Sequence, residues 1–334
     1  MTRYILQKIV FSIITLFIIL TVNFFIFRVV PGDPISMMLS PRTRPEIREH
    51  IREQYGVDKP LWINTEAFQE EKKISALFDT QYYHYFCSLA KGELGYSFKQ
   101  KKPVTELIGQ RVGPTVLLIF TGEVIAIFFG VFLGMLAAWK ARSKVDTLVL
   151  ITGLTAWSMP PFWLGLILLT MARGLFPSGG FITIGATFSS TIAMWLDIGK
   201  HLVLPATTMA ILLFGAYAIT VRNSALEVLA EDYIKTAKAK GLSQKRVLRS
   251  HALKNASLPL VTMIAMDLGF AMGGSIQIET IFSYPGLGRL MFEAIMQRDY
   301  PVLQGVFLLL AVTLIAANLL ADLTYIILDP RIRE

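Results

Sequence analysis

Six apolar stretches constrain what this chain can fold into more than any other feature. They lie at Ile9–Val30, Thr115–Trp139, Leu148–Ala172, Leu202–Val221, Leu258–Ile278 and Val302–Leu328. Each reaches the ~20 residues that a helix needs to cross the hydrocarbon core of a bilayer. In that solvent the backbone must satisfy its own N–H and C=O groups, so apolar runs of this length become helices. The composition agrees, with 54% hydrophobic and only 17% charged residues, far from an ordinary soluble domain. The expected fold is an all-α membrane protein of six transmembrane helices. Residues 1–30 hold a short tail and the first helix, 31–113 form an extracytoplasmic domain between helices 1 and 2, and 114–330 form a five-helix core with a basic loop at 222–256.

Orientation follows from Lys and Arg in the short connections. With the N-terminus inside, the cytoplasmic pieces hold Arg3, Lys8, Lys140, Arg142, Lys144, eight basic residues in Arg222–Asn255, Arg331 and Arg333. The short outer loops hold only Arg173, Lys200, Arg289 and Arg298. Fifteen against four places both termini in the cytoplasm. Gly179–Leu196 is fairly apolar but rich in Gly, Ser and Thr. Counted as a span it would put the most basic loop outside, so it is read as an outer or re-entrant segment. The first apolar run is longer than a signal-peptide core and ends in Phe27-Arg28-Val29-Val30-Pro31 without a small-x-small site, so it is read as an uncleaved anchor.

Several function classes fall away. The net charge of +8 sits largely beside apolar segments, as membrane orientation requires, and does not form the exposed basic domain of a nucleic-acid binder. One cysteine, Cys87, excludes an intramolecular disulfide, and His50, His84, His201 and His251 are scattered, so no protein-built metal site is indicated. There is no GxxxxGK[ST] phosphate loop, so no ATP hydrolysis is assigned to the chain.

The outer region carries Ile47, Ile51 and Tyr55 at helical spacing, and Tyr82, Tyr85, Phe86 and Leu89 as an apolar stripe over a predicted helix Thr80–Lys91. The stripe reads as domain core in preference to an aromatic ligand platform.

The basic loop has its own architecture. Leu226, Leu229, Tyr233 and Ala237 recur at helical spacing and predict one apolar face. Gly241 stands where a helix ends on a C′ glycine, and Ser243 can cap a second helix from Gln244. Two short helices about a glycine turn make a hairpin that can dock into a partner; contact with anionic lipid is the alternative.

Polar residues inside the spans are the other candidates. A charge at the bilayer centre costs roughly 2.5–3.5 kcal/mol, so Glu123 and Asp267 face protein or water, lining a path or making buried hydrogen bonds. Gln277 and Glu279 stand at the outer end of the fifth span, while Asn318 and Asp322 share a face of the sixth. Pro160-Pro161 predicts a kink near the middle of the third span. Gly130 and Gly134 permit close helix contact in the second, and Gly269, Gly273 and Gly274 give the fifth a small face.

The order of local motifs resembles one family. Tyr-Ile-Lys-Thr-Ala-Lys-Ala-Lys-Gly at 233–241, then His251-Ala252-Leu253-Lys254-Asn255-Ala256 and Leu258-Pro259, resemble the "EAA" loop of the oligopeptide/dipeptide/nickel branch of ABC importer permeases. Lys235 and Thr236 occupy the Glu-Ala positions of the generic pattern. Pro31-Gly32-Asp33-Pro34, Tyr55-Gly56-Val57-Asp58-Lys59-Pro60, Gly92-Glu93-Leu94-Gly95-Tyr96-Ser97 and Ser158-Met159-Pro160-Pro161-Phe162-Trp163 match in order. So do Tyr284-Pro285-Gly286-Leu287-Gly288-Arg289-Leu290, Arg298-Asp299-Tyr300-Pro301 and Asp329-Pro330-Arg331-Ile332. The charged stretch Trp62–Thr80 departs from the family as an apparent insertion.

The resemblance implies a type I ABC importer permease of the first-permease type in a bacterial or archaeal plasma membrane. It implies a second homologous permease, two cytosolic ATPases that bind the ATP and Mg, and an extracytoplasmic substrate-binding protein as partners. Glu231, Tyr233, Ala237, Ala239, Gly241 and Leu242 would dock the ATPase; Glu123, Asp267, Gln277 and Glu279 are candidates for the translocation path. The chain itself would be non-catalytic and free of cofactors. Di- or oligopeptides lead as cargo, with nickel or an oligosaccharide as alternatives on the same architecture. An ion-coupled secondary transporter would need related halves, and an intramembrane enzyme would need a nucleophile–base set; neither is seen.

Overall fold

The computed structural model describes residues 2–29, 59–247, 253–256, 258–271 and 275–328. Its elements, in chain order, are α1 (Thr2–Val29), α2 (Thr65–Glu71), a 3-10 turn at Ile74–Phe78, α3 (Gln81–Ala90), α4 (Val104–Trp139), α5 (Lys144–Ser158), α6 (Pro161–Met171) and α7 (Thr191–Ala230). Then follow α8 (Asp232–Ala239), α9 (Gln244–Val247), α10 (Leu253–Ala256), α11 (Leu258–Ala271), α12 (Ile276–Ile281), α13 (Leu287–Gln297) and α14 (Tyr300–Leu328). Among the described residues the only β pairings are isolated bridges, Tyr96 with Pro103 and Arg173 with Phe176. The all-α expectation holds.

Among the described residues four helices are long and apolar enough to cross a membrane, and five if α5 and α6 count as one broken span. The count of six is not reached among the described residues. The expected fifth span appears as α11, 14 residues long, and the short α12, with residues 272–274, including Gly273 and Gly274, outside the described set. One other expectation needs correction. The third span is not a kinked helix but two helices set at 105°. A residue before a proline is biased away from the α region, and Met159 and Pro160 are both extended, at ψ 134° and 130°. Pro161 then starts α6 as its first residue, where its missing N–H is harmless. The last six residues of Gly179–Leu196 open α7, which runs 40 residues from Thr191 with Ser190 capping Ala193 N–H at 3.2 Å.

The chain divides into two compact units. The first comprises residues 1–9, 111–290 and 312–334. Within it α4 approaches α7 closely at two glycines, as the GxxxG spacing predicts. A Cβ on Gly130 would stand 2.5 Å from Cβ of Tyr217, and one on Gly134 2.9 Å from Cβ of Val221. α5 meets α7 at Gly153 against Gly215, where a Cβ on Gly153 would lie 3.2 Å from the Gly215 Cα.

The second unit comprises 10–110 and 291–311. The α3 stripe of Tyr82, Tyr85, Phe86 and Leu89 is half-buried here. Tyr82 and Tyr85 pack on the fully buried Phe24 of α1, and Trp62 stacks on Phe25 at 4.5 Å. The apparent insertion at 62–80 folds into α2 and the 3-10 turn, with Asn64 capping Ala67 N–H at 2.9 Å and Thr80 capping Tyr83 N–H at 3.3 Å. Buried Asp299 explains two of the motifs together. It accepts from the Ser97 hydroxyl and from the N–H groups of Phe98 (3.0 Å) and Lys99 (3.2 Å), joining Gly92–Ser97 to Arg298–Pro301. The expected helix around Ile47, Ile51 and Tyr55 lies outside the described residues.

Candidate coupling hairpin and buried polar clusters

The basic loop folds as the two-helix hairpin that its glycine implies. α7 ends at Glu231, whose extended backbone (ψ 147°) breaks the helix before α8 restarts at Asp232. Gly241 has φ +80°, the left-handed C′ conformation that favours glycine. One residue on, the Leu242 N–H reaches back to the Ala237 carbonyl at 3.3 Å, the long-range bond of a Schellman ending. The Ser243 carbonyl then accepts from Arg246 and Val247 to open α9. Ile234, Ala237 and Val247 are buried together against Val228, Leu229 and Leu242.

One predicted detail is corrected. Tyr233 is 43% exposed, and its neighbour Ile234 is fully buried in its place. The spacing from Leu226 and Leu229 presupposed one continuous helix; the break at Glu231 resets the helical phase beyond it, while Leu226, before the break, packs in another cluster with Ala138, Ala225 and Ala256. Of the candidate docking residues, Glu231, Tyr233, Ala239 and Gly241 are exposed, Ala237 is buried and Leu242 is half-buried against the hairpin core.

Next to this hairpin stands a pair that the sequence reading missed. Arg222 donates from Nε to Asp146 Oδ1 (2.5 Å) and from its Nη2 to Oδ2 (2.8 Å), and the Arg142 N–H also reaches Oδ2 at 2.8 Å. The bidentate fork ties the start of α5 to the end of α7. Arg222 had been counted among the loop charges, but Asp146, 76 residues away in sequence, was not singled out.

Deeper in the first unit, Glu123 of α4 and Asp267 of α11 meet on one hydroxyl. The Tyr217 Oη of α7 is hydrogen-bonded to Glu123 Oε1 and lies 2.6 Å from Asp267 Oδ2. Glu123 is 3% exposed and its Oε2 has no hydrogen-bond partner. The surroundings are apolar, with Ala126, Ala210, Val221 and Leu260 buried alongside Tyr217. Sequence reasoning selected both acids and missed the tyrosine, which carries no signal until Gly130 is seen to leave room for it.

Glu279 and Gln277, paired in the sequence reading, are separated. Gln277 is exposed, whereas Glu279 is fully buried. Glu279 accepts from the Thr115 hydroxyl (2.9 Å) and from the Arg289 N–H (2.9 Å), and Thr115 Oγ1 accepts from the Leu287 N–H (2.7 Å). A carboxylate therefore sits at the N-terminal turn of α13, where free N–H groups and the helix dipole favour it. The tyrosine and glycines of the Tyr284–Leu290 motif have physical reasons. Tyr284 donates to the Pro114 carbonyl at 3.0 Å, a Cβ on Gly286 would collide with the Glu279 carboxyl and the Thr115 hydroxyl, and one on Gly288 would stand 2.8 Å from the Ile276 nitrogen.

The second unit holds a cavity of about 480 Å³, walled in part by Arg28, Tyr85, Glu93, Tyr96 and Tyr300, so Tyr85 serves both the core and a concave surface. Among the described residues no group of three or more His, Cys, Asp or Glu could hold a metal ion.

Comparison with known proteins places this arrangement. Residues 130–334 match the family described as binding-protein-dependent transport system inner membrane component, and residues 1–119 match the N-terminal part of the corresponding membrane component. The oligopeptide transport system permease protein AppB of Bacillus subtilis is 35% identical over 99% of both chains. The dipeptide transport system permease protein DppB of Escherichia coli K12 is 36% identical over 100% of this chain and 99% of its own. The glutathione transport system permease protein GsiC of the same strain is 34% identical, with the same coverage. In solved structures, the inward-facing MetNI methionine ABC transporter matches 67% of this chain and 97% of its own, with a TM-score of 0.53 at 18% identity; that likeness concerns the fold.

Proposed function

Because the chain belongs to the inner membrane component family of binding-protein-dependent transport systems, we propose that it is a permease subunit of an ATP-driven importer of di- or oligopeptides. The observation that carries the cargo is end-to-end similarity, at 34–36% identity, to permeases named for oligopeptide, dipeptide and glutathione transport. The hairpin Asp232–Val247 is the ATPase-docking device. Its buried core makes it rigid, while Glu231, Tyr233, Ala239 and Gly241 stand on its accessible surface. A second homologous permease completes the translocation path, two cytosolic ATPases bind ATP and Mg, and an extracytoplasmic binding protein delivers cargo. This chain, set in the membrane lipid, is the non-catalytic conduit and lever. In this reading it spans the inner membrane six times with both termini in the cytoplasm, and Glu123, Asp267, Gln277 and Glu279 are the residues to test along the path.

Uptake by the complete complex in proteoliposomes tests the assignment. Labelled short peptides are expected to enter only with both ATP and the binding protein. ATP-dependent uptake of nickel in place of peptide would overturn the cargo, and uptake driven by an ion gradient without ATP would overturn the mechanism.

A further inference from the structure

The contact of Glu123, Tyr217 and Asp267 raises a question of hydrogen count. Tyr217 has one hydroxyl hydrogen and two carboxyl oxygens within hydrogen-bonding distance, one from each acid. A phenol can donate to one of them only; the other contact needs a hydrogen from the carboxyl side. With both acids ionised, one oxygen–oxygen contact would be lone pair against lone pair. A lysine, arginine or histidine supplying charge is missing from the stretches that form this site. Pro114–Trp139 of α4 contains no ionisable residue besides Glu123, Leu202–Val221 of α7 none besides Tyr217, and α11 none besides Asp267. Helix α14, whose Leu314 and Ala317 adjoin Gly269 of α11, has no ionisable residue over 301–321. Arg222 further along α7 is committed to Asp146.

We propose that Glu123, Tyr217 and Asp267 form a proton-binding site that ties α4, α7 and α11 together. The proton resides on Glu123. That residue is almost wholly buried and its Oε2 has no partner, a tolerable state for the carbonyl of a neutral acid and a costly one for half of a carboxylate. Asp267 is half-buried and carries the remaining negative charge. The bonds run in one direction: the Glu123 hydroxyl donates to Tyr217 Oη, and the Tyr217 hydroxyl donates to Asp267. Loss of the proton to solvent leaves two carboxylates competing for one hydrogen in an apolar core, and the tie between the three helices opens. The site is a pH-sensitive lock on the packing of the membrane helices.

The test is infrared difference spectroscopy on the complete complex in lipid, comparing the wild-type protein with Glu123→Gln. The wild-type sample is expected to show a protonated-carboxyl C=O band at neutral pH that is missing from the variant, while other buried acids cancel in the difference. The glutamine amide still donates to Tyr217, so assembly is retained. Asp267→Asn is the second variant and is expected to keep the Glu123 band. Absence of any band difference for Glu123→Gln, or loss of the band in Asp267→Asn, overturns the assignment. A second readout rests on the importer reading: wild-type uptake should fall at alkaline pH with the unit slope of a single proton, and Glu123→Gln should flatten that fall. Identical pH profiles would overturn the lock, whereas absence of uptake by every form at every pH would count against the importer reading and leave the spectroscopic result standing.

Discussion

Replacing Gly241 separates backbone geometry from surface chemistry at the coupling hairpin. A Cβ placed at Gly241 meets nothing within 4 Å, while the residue sits at φ +80°. A substitution there meets no steric obstacle from its neighbours and acts through the left-handed backbone alone. That conformation costs an L-residue about 1–2 kcal/mol, most for β-branched side chains and least for Asn. An energy of this size shifts the balance between the closed and open turn by about 5–30-fold. Opening withdraws the Leu242 N–H from Ala237 and its side chain from Ile234 and Val247, so α9 is no longer held against α8. With the complete complex, Gly241→Val is expected to insert in the membrane yet hold the ATPase more weakly and lose uptake, Gly241→Ala to show part of that loss, and Gly241→Asn to stay close to wild type. Wild-type coupling in Gly241→Val would refute the docking assignment. Equal losses in Val, Ala and Asn variants would refute the backbone explanation, since only their tolerance of positive φ ranks them.

Two other substitutions examine the packing that supports the site. Gly286→Ala drives a methyl into the Glu279 carboxyl and Thr115 hydroxyl, both fixed by hydrogen bonds, and is expected to cost ~1–3 kcal/mol; an unchanged thermal midpoint of the purified complex would contradict it. Asp146→Ala leaves Arg222, 18% exposed, with the Asn223 Oδ1 contact but without its carboxylate and is expected to cost about 1–3 kcal/mol. Because each single change leaves the other partner without its ion pair, Asp146→Ala combined with Arg222→Ala should cost less than the two single changes added together, and strict additivity in chemical denaturation would exclude the coupling.

Where sequence succeeded and failed follows from what each signal measures. Apolar length located α1, α4, α7 and α14 because span formation depends on the chain and the solvent and needs no partner. Gly241 was legible for a related reason: a left-handed ending is a local backbone requirement. Helical spacing failed at Tyr233 because periodicity carries no information once the helix breaks, and nothing in Ala230-Glu231-Asp232 announces an extended residue. Pro160-Pro161 announced disruption, but two successive extended residues turn the chain through 105°, an angle that composition does not encode. Glu123 and Asp267 stood out as charges in apolar sequence, whereas Tyr217 and the partner of Arg222 became visible only through contacts spanning 94 and 76 residues.

These contacts converge on α7. Along one helix stand Tyr217, which joins α4 and α11, then Arg222, which holds α5, then the break at Glu231 from which the hairpin projects. Tyr217 and Ala230 are 13 residues apart, about 20 Å along the axis, and the close contacts at Gly130, Gly134 and Gly153 leave little room for sliding over that distance. A displacement imposed on α8 is therefore passed to a helix clamped on two sides. Coupling through such a body requires discrete arrangements of the clamps and not gradual bending. The Tyr217 tie and the Asp146–Arg222 fork are the two points where an alternative arrangement is a matter of exchanging hydrogen bonds. If the lever works this way, loss of the Arg222 fork and loss of the Glu123 proton should both uncouple ATP hydrolysis from uptake without displacing the ATPase, whereas Gly241→Val should weaken ATPase binding itself. Co-purification of the ATPase with each variant distinguishes the two kinds of failure, and loss of the ATPase from Asp146→Ala would place the fork in the docking surface and not in the lever.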